Sequence, residues 1–189
     1  MTDIGESAFE ELDGTYPVDF SQATLLKNIG DKAFINTNFH KESSPLELKT
    51  DNLELIGSNA FHLDNTDFEL TINIKSLNKL HKIGDTPFNQ IVNYPENIVF
   101  TSNLYYIGDN ALYVDKSGSS HHNSEILTVS FDQTNALQTI GNYAFQNQAN
   151  LEITTNIKAH KIGDNAFELC SKLNTNIEIE SRGTTAGSI

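Results

Sequence analysis

Two apolar patterns recur along the chain, always in the same order. The first is a six-residue signal, Ile-Gly-x-x-Ala-Phe. It begins at Ile4 and returns at Ile29, Ile56, Ile83, Ile107, Ile140 and Ile162, with Pro87 in place of Ala in the fourth copy and Leu112 in place of Phe in the fifth. The position three before the Ile is apolar in each of the last six copies: Leu26, Leu53, Leu80, Leu104, Leu137 and Ala159. The second pattern lies between signals and alternates apolar with polar: Val18-Asp19-Phe20, Leu46-Glu47-Leu48, Phe68 to Ile74, Ile98-Val99-Phe100, Leu127 to Phe131, Leu151-Glu152-Ile153 and Ile177-Glu178-Ile179. Period-two alternation predicts strands with apolar members inward and polar members outward.

Successive signals start 25, 27, 27, 24, 33 and 22 residues apart. Their mean falls within the window of roughly 20–29 residues typical of leucine-rich repeats. One such unit cannot bury its own apolar face, so neighbours must stack. The prediction is a leucine-rich-repeat solenoid of seven coils, rich in parallel strands with short helical or 3-10 turns, forming one domain over residues 1–180. Residues 181–189 contain the only arginine, Arg182, and read as a linker or vector-derived tail.

Within the signal, the Gly is expected either because a side chain would clash there or because the turn needs positive φ. Asp31, Ser58, Asp85, Asp109, Asn142 and Asp164 follow it in six copies and Glu6 in the first. Asp, Ser and Asn accept hydrogen bonds from the free amides that open a helical turn, so they read as helix caps. Ala permits close approach of coils, and Phe9, Phe34, Phe61, Phe88, Leu112, Phe145 and Phe167 are expected to stack as a structural ladder. Each fully buried ring would contribute roughly 1.5–3 kcal/mol. Pro87 fits the first turn after a cap, and the smaller Leu112 predicts a looser core.

The signal, the preceding Leu and the placement of Cys170 three after Phe167 together resemble the BspA-like, or Treponema-type, leucine-rich repeats, over Ile4 to about Ile179. That resemblance implies a leucine-rich-repeat right-handed solenoid of short strands and brief helical turns. It also implies a cell-surface or secreted module of adhesin type that binds protein or glycan partners on a host or neighbouring cell. The lack of a signal peptide leaves a cytoplasmic repeat scaffold as the alternative.

Composition narrows the function classes. With 25 acids, 12 bases and a formal charge of -13, the chain is unsuited to nucleic acid, whose binders gain affinity from clustered Lys and Arg. No apolar run reaches the roughly 18 residues of a spanning helix, so no membrane insertion is expected. Met1-Thr2-Asp3 opens no signal peptide. Cys170, the only cysteine, allows no internal disulfide and reads as a small inward thiol. No nucleophile elbow, zinc-protease helix, phosphate loop or dinucleotide fingerprint is present. The reading is non-catalytic, with no cofactor and no metal; an enzyme whose site is unrecognised is the remote rival.

Two candidate recognition features remain. Asp19, Glu47, Glu69, Glu152 and Glu178, with Val99 and Thr128 or Ser130, occupy outward strand positions and would form an acidic stripe facing a cationic ligand or a calcium ion. Counting back from the next Ile selects Asn73 in place of Glu69 in the third coil, and exposed strand positions of an acidic protein are often acidic without binding anything. The segment between Leu112 and Ile126 stretches the fifth coil into a loop carrying Asp115, His121, His122 and Glu125. Loops on rigid scaffolds often carry binding, but adjacent histidines lack the spacing of a formed metal site, and a flexible insertion without function is the favoured reading of the loop. His40, His62, His81 and His160 fall at scattered positions and are not expected to stack.

Overall fold

The computed structural model describes residues 1–14, 20, 22–39, 46–62, 71–88, 91–93, 95, 97–114, 128–131 and 137–179. Every strand pairing among them is parallel. The described residues form sixteen strands in order: β1 (Asp3–Ile4), β2 (Asp13–Gly14), β3 (Asn28–Ile29), β4 (Asn38–Phe39), β5 (Leu46–Leu48), β6 (Leu55–Ile56), β7 (Thr71–Ile74), β8 (Lys82–Ile83), β9 (Ile91–Asn93), β10 (Asn97–Phe100), β11 (Tyr106–Ile107), β12 (Thr128–Phe131), β13 (Thr139–Ile140), β14 (Glu152–Ile153), β15 (Ile157–Ala159) and β16 (Ile177–Ile179).

The signal strands form the longest sheet, ordered β1-β3-β6-β8-β11-β13, and Ile140 bridges onward to Ile162. Ile pairs with Ile at every step, so the seven signals stay in one register. The alternating segments divide into separate sheets, β5-β7-β9 and β10-β12-β14, with β15-β16 and β2-β4 as pairs.

Close approach explains the glycines. A Cβ on Gly84 would lie 2.3 Å from the Ser58 amide nitrogen, and one on Gly141 would lie 2.4 Å from the Gly108 carbonyl carbon. These glycines do not have positive φ. That conformation belongs to the next residue but one after Gly in all seven copies: Ser7, Lys32, Asn59, Thr86, Asn110, Tyr143 and Asn165, with φ between 44° and 56°. The turns are therefore β-turns with a left-handed third residue, closed in the first two coils by Ala8 N–H to Gly5 O and Ala33 N–H to Gly30 O. Among the described residues no helix forms, which corrects the expected helical or 3-10 turns.

The expected caps change role with it. Asp31 Oδ1 accepts the Ser58 amide at 2.8 Å, Ser58 Oγ accepts the Asp85 amide at 3.1 Å, and Asp85 Oδ1 accepts the Asp109 amide at 3.0 Å. Asp109 and Asn142 continue the series, accepting the Asn142 and Asp164 amides at 2.7 and 2.8 Å. Each side chain holds the equivalent backbone position of the following coil. The backbone does likewise: Lys32, Asn59 and Asn110 donate to the carbonyls of Ser58, Asp85 and Asn142 in the next coil, and Phe34 and Phe145 donate to Ala60 and Ala166. Stacking thus satisfies turn amides that a lone coil would leave to water.

The core runs from Ile4 to Cys170. The ring ladder forms in two runs. Phe9, Phe34, Phe61 and Phe88 stack nearly parallel with centroids 5.0, 5.0 and 5.8 Å apart, and Phe145 stacks on Phe167 at 5.2 Å. Leu112 is completely buried between the runs. Ala159, the exception in the Leu column, is also fully buried and bridges to Leu137. Cys170 is buried with its thiol donating to the Phe145 carbonyl at 3.0 Å.

Candidate recognition surface

In each two-residue signal strand the Ile points inward and the residue before it faces out by alternation; the residue two before, just outside the strand, is exposed or half-buried as well. The first outward column reads Asp3, Asn28, Leu55, Lys82, Tyr106 and Thr139; the second reads Thr2, Lys27, Glu54, His81, Tyr105 and Gln138. Backbone bonds extend the ladder into the second column: Lys27 donates to Thr2, Glu54 to Lys27, His81 to Glu54, Tyr105 to His81 and Gln138 to Tyr105. These side chains are held one strand spacing apart across the described coils.

Their chemistry is mixed. Lys27 Nζ lies 2.8 Å from Glu54 Oε1; that hydrogen bond holds the Glu54 carboxyl below the ordinary carboxylate range and raises the Lys27 ammonium. Lys82 sits 5.7 Å from the centre of the Tyr106 ring, a cation over a π face. Tyr106 donates to Asp85 Oδ1 at 2.8 Å. Partial burial, then the bond to Asp85 and the charges of Asp85 and Asp109, push the Tyr106 hydroxyl up to about 12. Beside it Tyr105 is 48% exposed. Tyrosine is enriched at protein interfaces, and here it stands exposed within a polar, charged face. Reading the sequence for alternating segments passed over these residues; the signal was the residue before each Ile, outward by the same alternation.

Asp19, Glu69, Asp115, His121, His122 and Glu125 lie outside the described residues. Glu47, Glu152 and Glu178 fall in three different sheets. Glu47 lies opposite Asn73, whose amide donates to it at 2.6 Å. Val99 pairs with Ser130, and Thr128 with Glu152. Glu178 pairs with Lys158, whose ammonium lies 3.9 Å from its carboxylate. No two of the described acids in this set occupy neighbouring strands. Among the described residues no three His, Cys, Asp or Glu side chains gather as a metal site, and no helix is long and apolar enough to cross a membrane.

Comparison with curated proteins and with solved structures gives no match. The family described as BspA type leucine rich repeat region matches in six copies over residues 1–119 and 119–188. Repeats of this family are generally non-catalytic, serve as protein-binding modules and are often surface-associated. The match spans nearly the whole sequence: the chain belongs to the BspA-type leucine-rich repeat family.

Proposed function

We propose that the chain is a non-catalytic recognition module, one right-handed solenoid domain over residues 1–180, working as a cell-surface or secreted adhesin-type protein that binds a protein or glycan. The unbroken signal sheet carries this reading. It is the only set of strands in the described residues that keeps outward side chains in register from the first coil to the sixth, and it sets exposed Tyr105 among Lys82, His81 and the Lys27–Glu54 pair. A rigid scaffold presenting such a row binds without ordering a loop first, which removes part of the entropic cost of association. The frequent surface association of the family supports the adhesin setting over an intracellular scaffold.

The outward acids Glu47, Glu152 and Glu178, with Asp19, Glu69 and the 113–125 loop, form the second candidate face. One experiment separates the two. Purified protein is applied to arrays of extracellular-matrix proteins and glycans, beside Tyr105→Ala/Lys82→Glu and Glu47→Lys/Glu152→Lys/Glu178→Lys variants. The first variant is expected to lose binding about tenfold or more, with the second near wild type. Loss confined to the second variant moves the site to the alternating strands, and no binding above a control protein rejects the adhesin reading.

A further inference from the structure

Charge is unevenly distributed along the signal sheet. In the fourth coil, residues 75–84 carry Lys75, Lys79, His81 and Lys82 and no acid, and in the fifth, residues 97–108 carry no charged side chain. A chain with 25 acids and 12 bases thus places three lysines and no carboxylate in these two stretches. The acids of the third coil are engaged, Asp51 by Lys75 and Glu54 by Lys27. Glu54 is acted on first by its bond to Lys27 and then by the charges of Lys27, His81 and Lys79, which sets Lys79 beside the second outward column. Lys27, Lys79 and Lys82 therefore stand around one carboxylate. Past the signal glycine, Asp85 and Asp109 turn oxygens to the amides of Asp109 and Asn142. Lys79 reaches the Asn52 side-chain oxygen at 2.7 Å and Lys82 lies over the Tyr106 ring, so among the described residues neither ammonium bonds to a carboxylate.

The neighbouring coils add uncharged hydrogen-bonding groups and one open ring. Pairing sets Lys82 beside Tyr106 and Tyr106 beside Thr139, while Tyr105 bonds through its amide to His81 and Gln138 to Tyr105. The lysines are thus followed, at steps of about 4.8 Å, by a tyrosine pair and then by an amide and a hydroxyl. That order discriminates among anionic partners. The cores of protein interfaces are depleted in Lys, and Tyr105 is the one exposed large hydrophobic on the two outward columns among the described residues. A nucleic acid carries charge at every backbone step, more than this short basic stretch can match. Sugar rings bearing intermittent carboxylates or sulfates fit it: ammonium groups meet the anion, the Tyr105 ring meets the apolar face of a sugar, and Asn103, Gln138 and Thr139 meet hydroxyls. The whole chain's charge of -13 opposes this weakly at contact, because salt screens exposed charges beyond about 8–10 Å.

We propose that the fourth to sixth coils of the signal sheet bind an acidic polysaccharide, with Lys79 and Lys82 on its carboxylate or sulfate and Tyr105 against an adjoining ring. This rests on the reading of the signal sheet as the recognition face and names its ligand class.

The test is calorimetric titration with heparin and polygalacturonate oligosaccharides, against dextran oligosaccharides as the uncharged control and polyglutamate as the acidic peptide. Wild type is expected to bind one or both anionic saccharides about tenfold or more tighter than either control, and to lose affinity as salt is raised. Lys79→Gln/Lys82→Gln and Tyr105→Ala should each weaken that binding about tenfold or more with unchanged circular dichroism, and Lys172→Gln, outside the patch, should bind like wild type. Should the double variant fold differently, Lys79→Gln alone, at an exposed position, carries the test with the same expected direction. No binding to either anionic saccharide, preference for dextran or polyglutamate, or a folded double variant that binds like wild type overturns the proposal. A neutral glycan or protein bound through Tyr105 without the two lysines overturns it and leaves the signal sheet as the recognition face; binding lost only in Glu47→Lys/Glu152→Lys/Glu178→Lys overturns both.

Discussion

Replacing Asp109 by Ala tests the claim that the residue after the signal glycine joins coils and does not cap a helix. Asp109 accepts the Asn142 amide on one carboxylate oxygen at 2.7 Å and the Asn142 side-chain amide on the other at 3.1 Å, both part-buried. A hydrogen bond to a charged group contributes about 1.5–3 kcal/mol. Removing a like charge next to Asp85 returns about 0.5 kcal/mol, so the expected net loss is about 1–2.5 kcal/mol. For a chain of this size that is a fall in melting temperature of roughly 2–10 °C. Asp164 occupies the equivalent position in the last coil and holds no amide of a following coil among the described residues, so Asp164→Ala should leave stability nearly unchanged. Helix capping would instead make both substitutions cost about 1 kcal/mol. Urea unfolding followed by far-ultraviolet circular dichroism suits a chain with no tryptophan, and hydrogen exchange at the Asn142 amide gives a local readout. Equal losses from the two variants, or unchanged Asn142 protection in Asp109→Ala, would refute the inter-coil role.

Phe61 is fully buried with a ring on each side, so Phe61→Ala should cost roughly 3–5 kcal/mol. Half-buried Phe167, stacked on one ring, should cost less than half as much; urea midpoints decide, and a Phe61 loss below about 1 kcal/mol contradicts a central ladder. For Tyr106, the folded value of about 12 stands above the ordinary value near 10. Above pH 10 the unfolded chain releases the tyrosine proton while the folded chain keeps it. Stability is therefore fully present below about pH 10 and falls as pH rises toward about 12, and Tyr106→Phe should flatten that part of the melting-temperature profile.

The Ile-Gly-x-x-Ala-Phe signal was legible because its constraint is steric and repeats in the six coils after the first. The backbones meet at Gly, so there is no slack for another residue type. The Asp/Ser/Asn column was half legible: the residues do accept amides, but sequence does not say whose, and the donor lies in the next coil. The left-handed column was not legible at all. Asn fills only three of its seven positions, the others being Ser7, Lys32, Thr86 and Tyr143, because stacking imposes a conformation that costs about 1–2 kcal/mol for most residues. The described alternating segments lie in separate sheets, so Glu47, Glu152 and Glu178 share no continuous row. Their distance to the signal also varies, Glu47 lying nine residues before its Ile, Asn73 ten and Val99 eight, so counting from the signal does not give the pairing that sets Glu47 opposite Asn73.

A second departure from the repeat shows what specifies register where the ladder breaks. Leu112 supplies no ring, so the stack stops at Phe88 and resumes at Phe145, across the longest spacing between signals. At this junction two side chains of the sixth coil reach back into the fifth: Gln148 donates to the Leu112 carbonyl at 2.6 Å and Asn147 to the Val114 carbonyl at 2.8 Å, both buried. A ring contact tolerates sliding, whereas a buried amide left without its acceptor costs about 1–3 kcal/mol. The junction thus gives up ring stacking and gains directional bonds that admit one register. The signal sheet therefore continues from β8 through β11 to β13 across the longest spacing between signals, with its outward columns aligned.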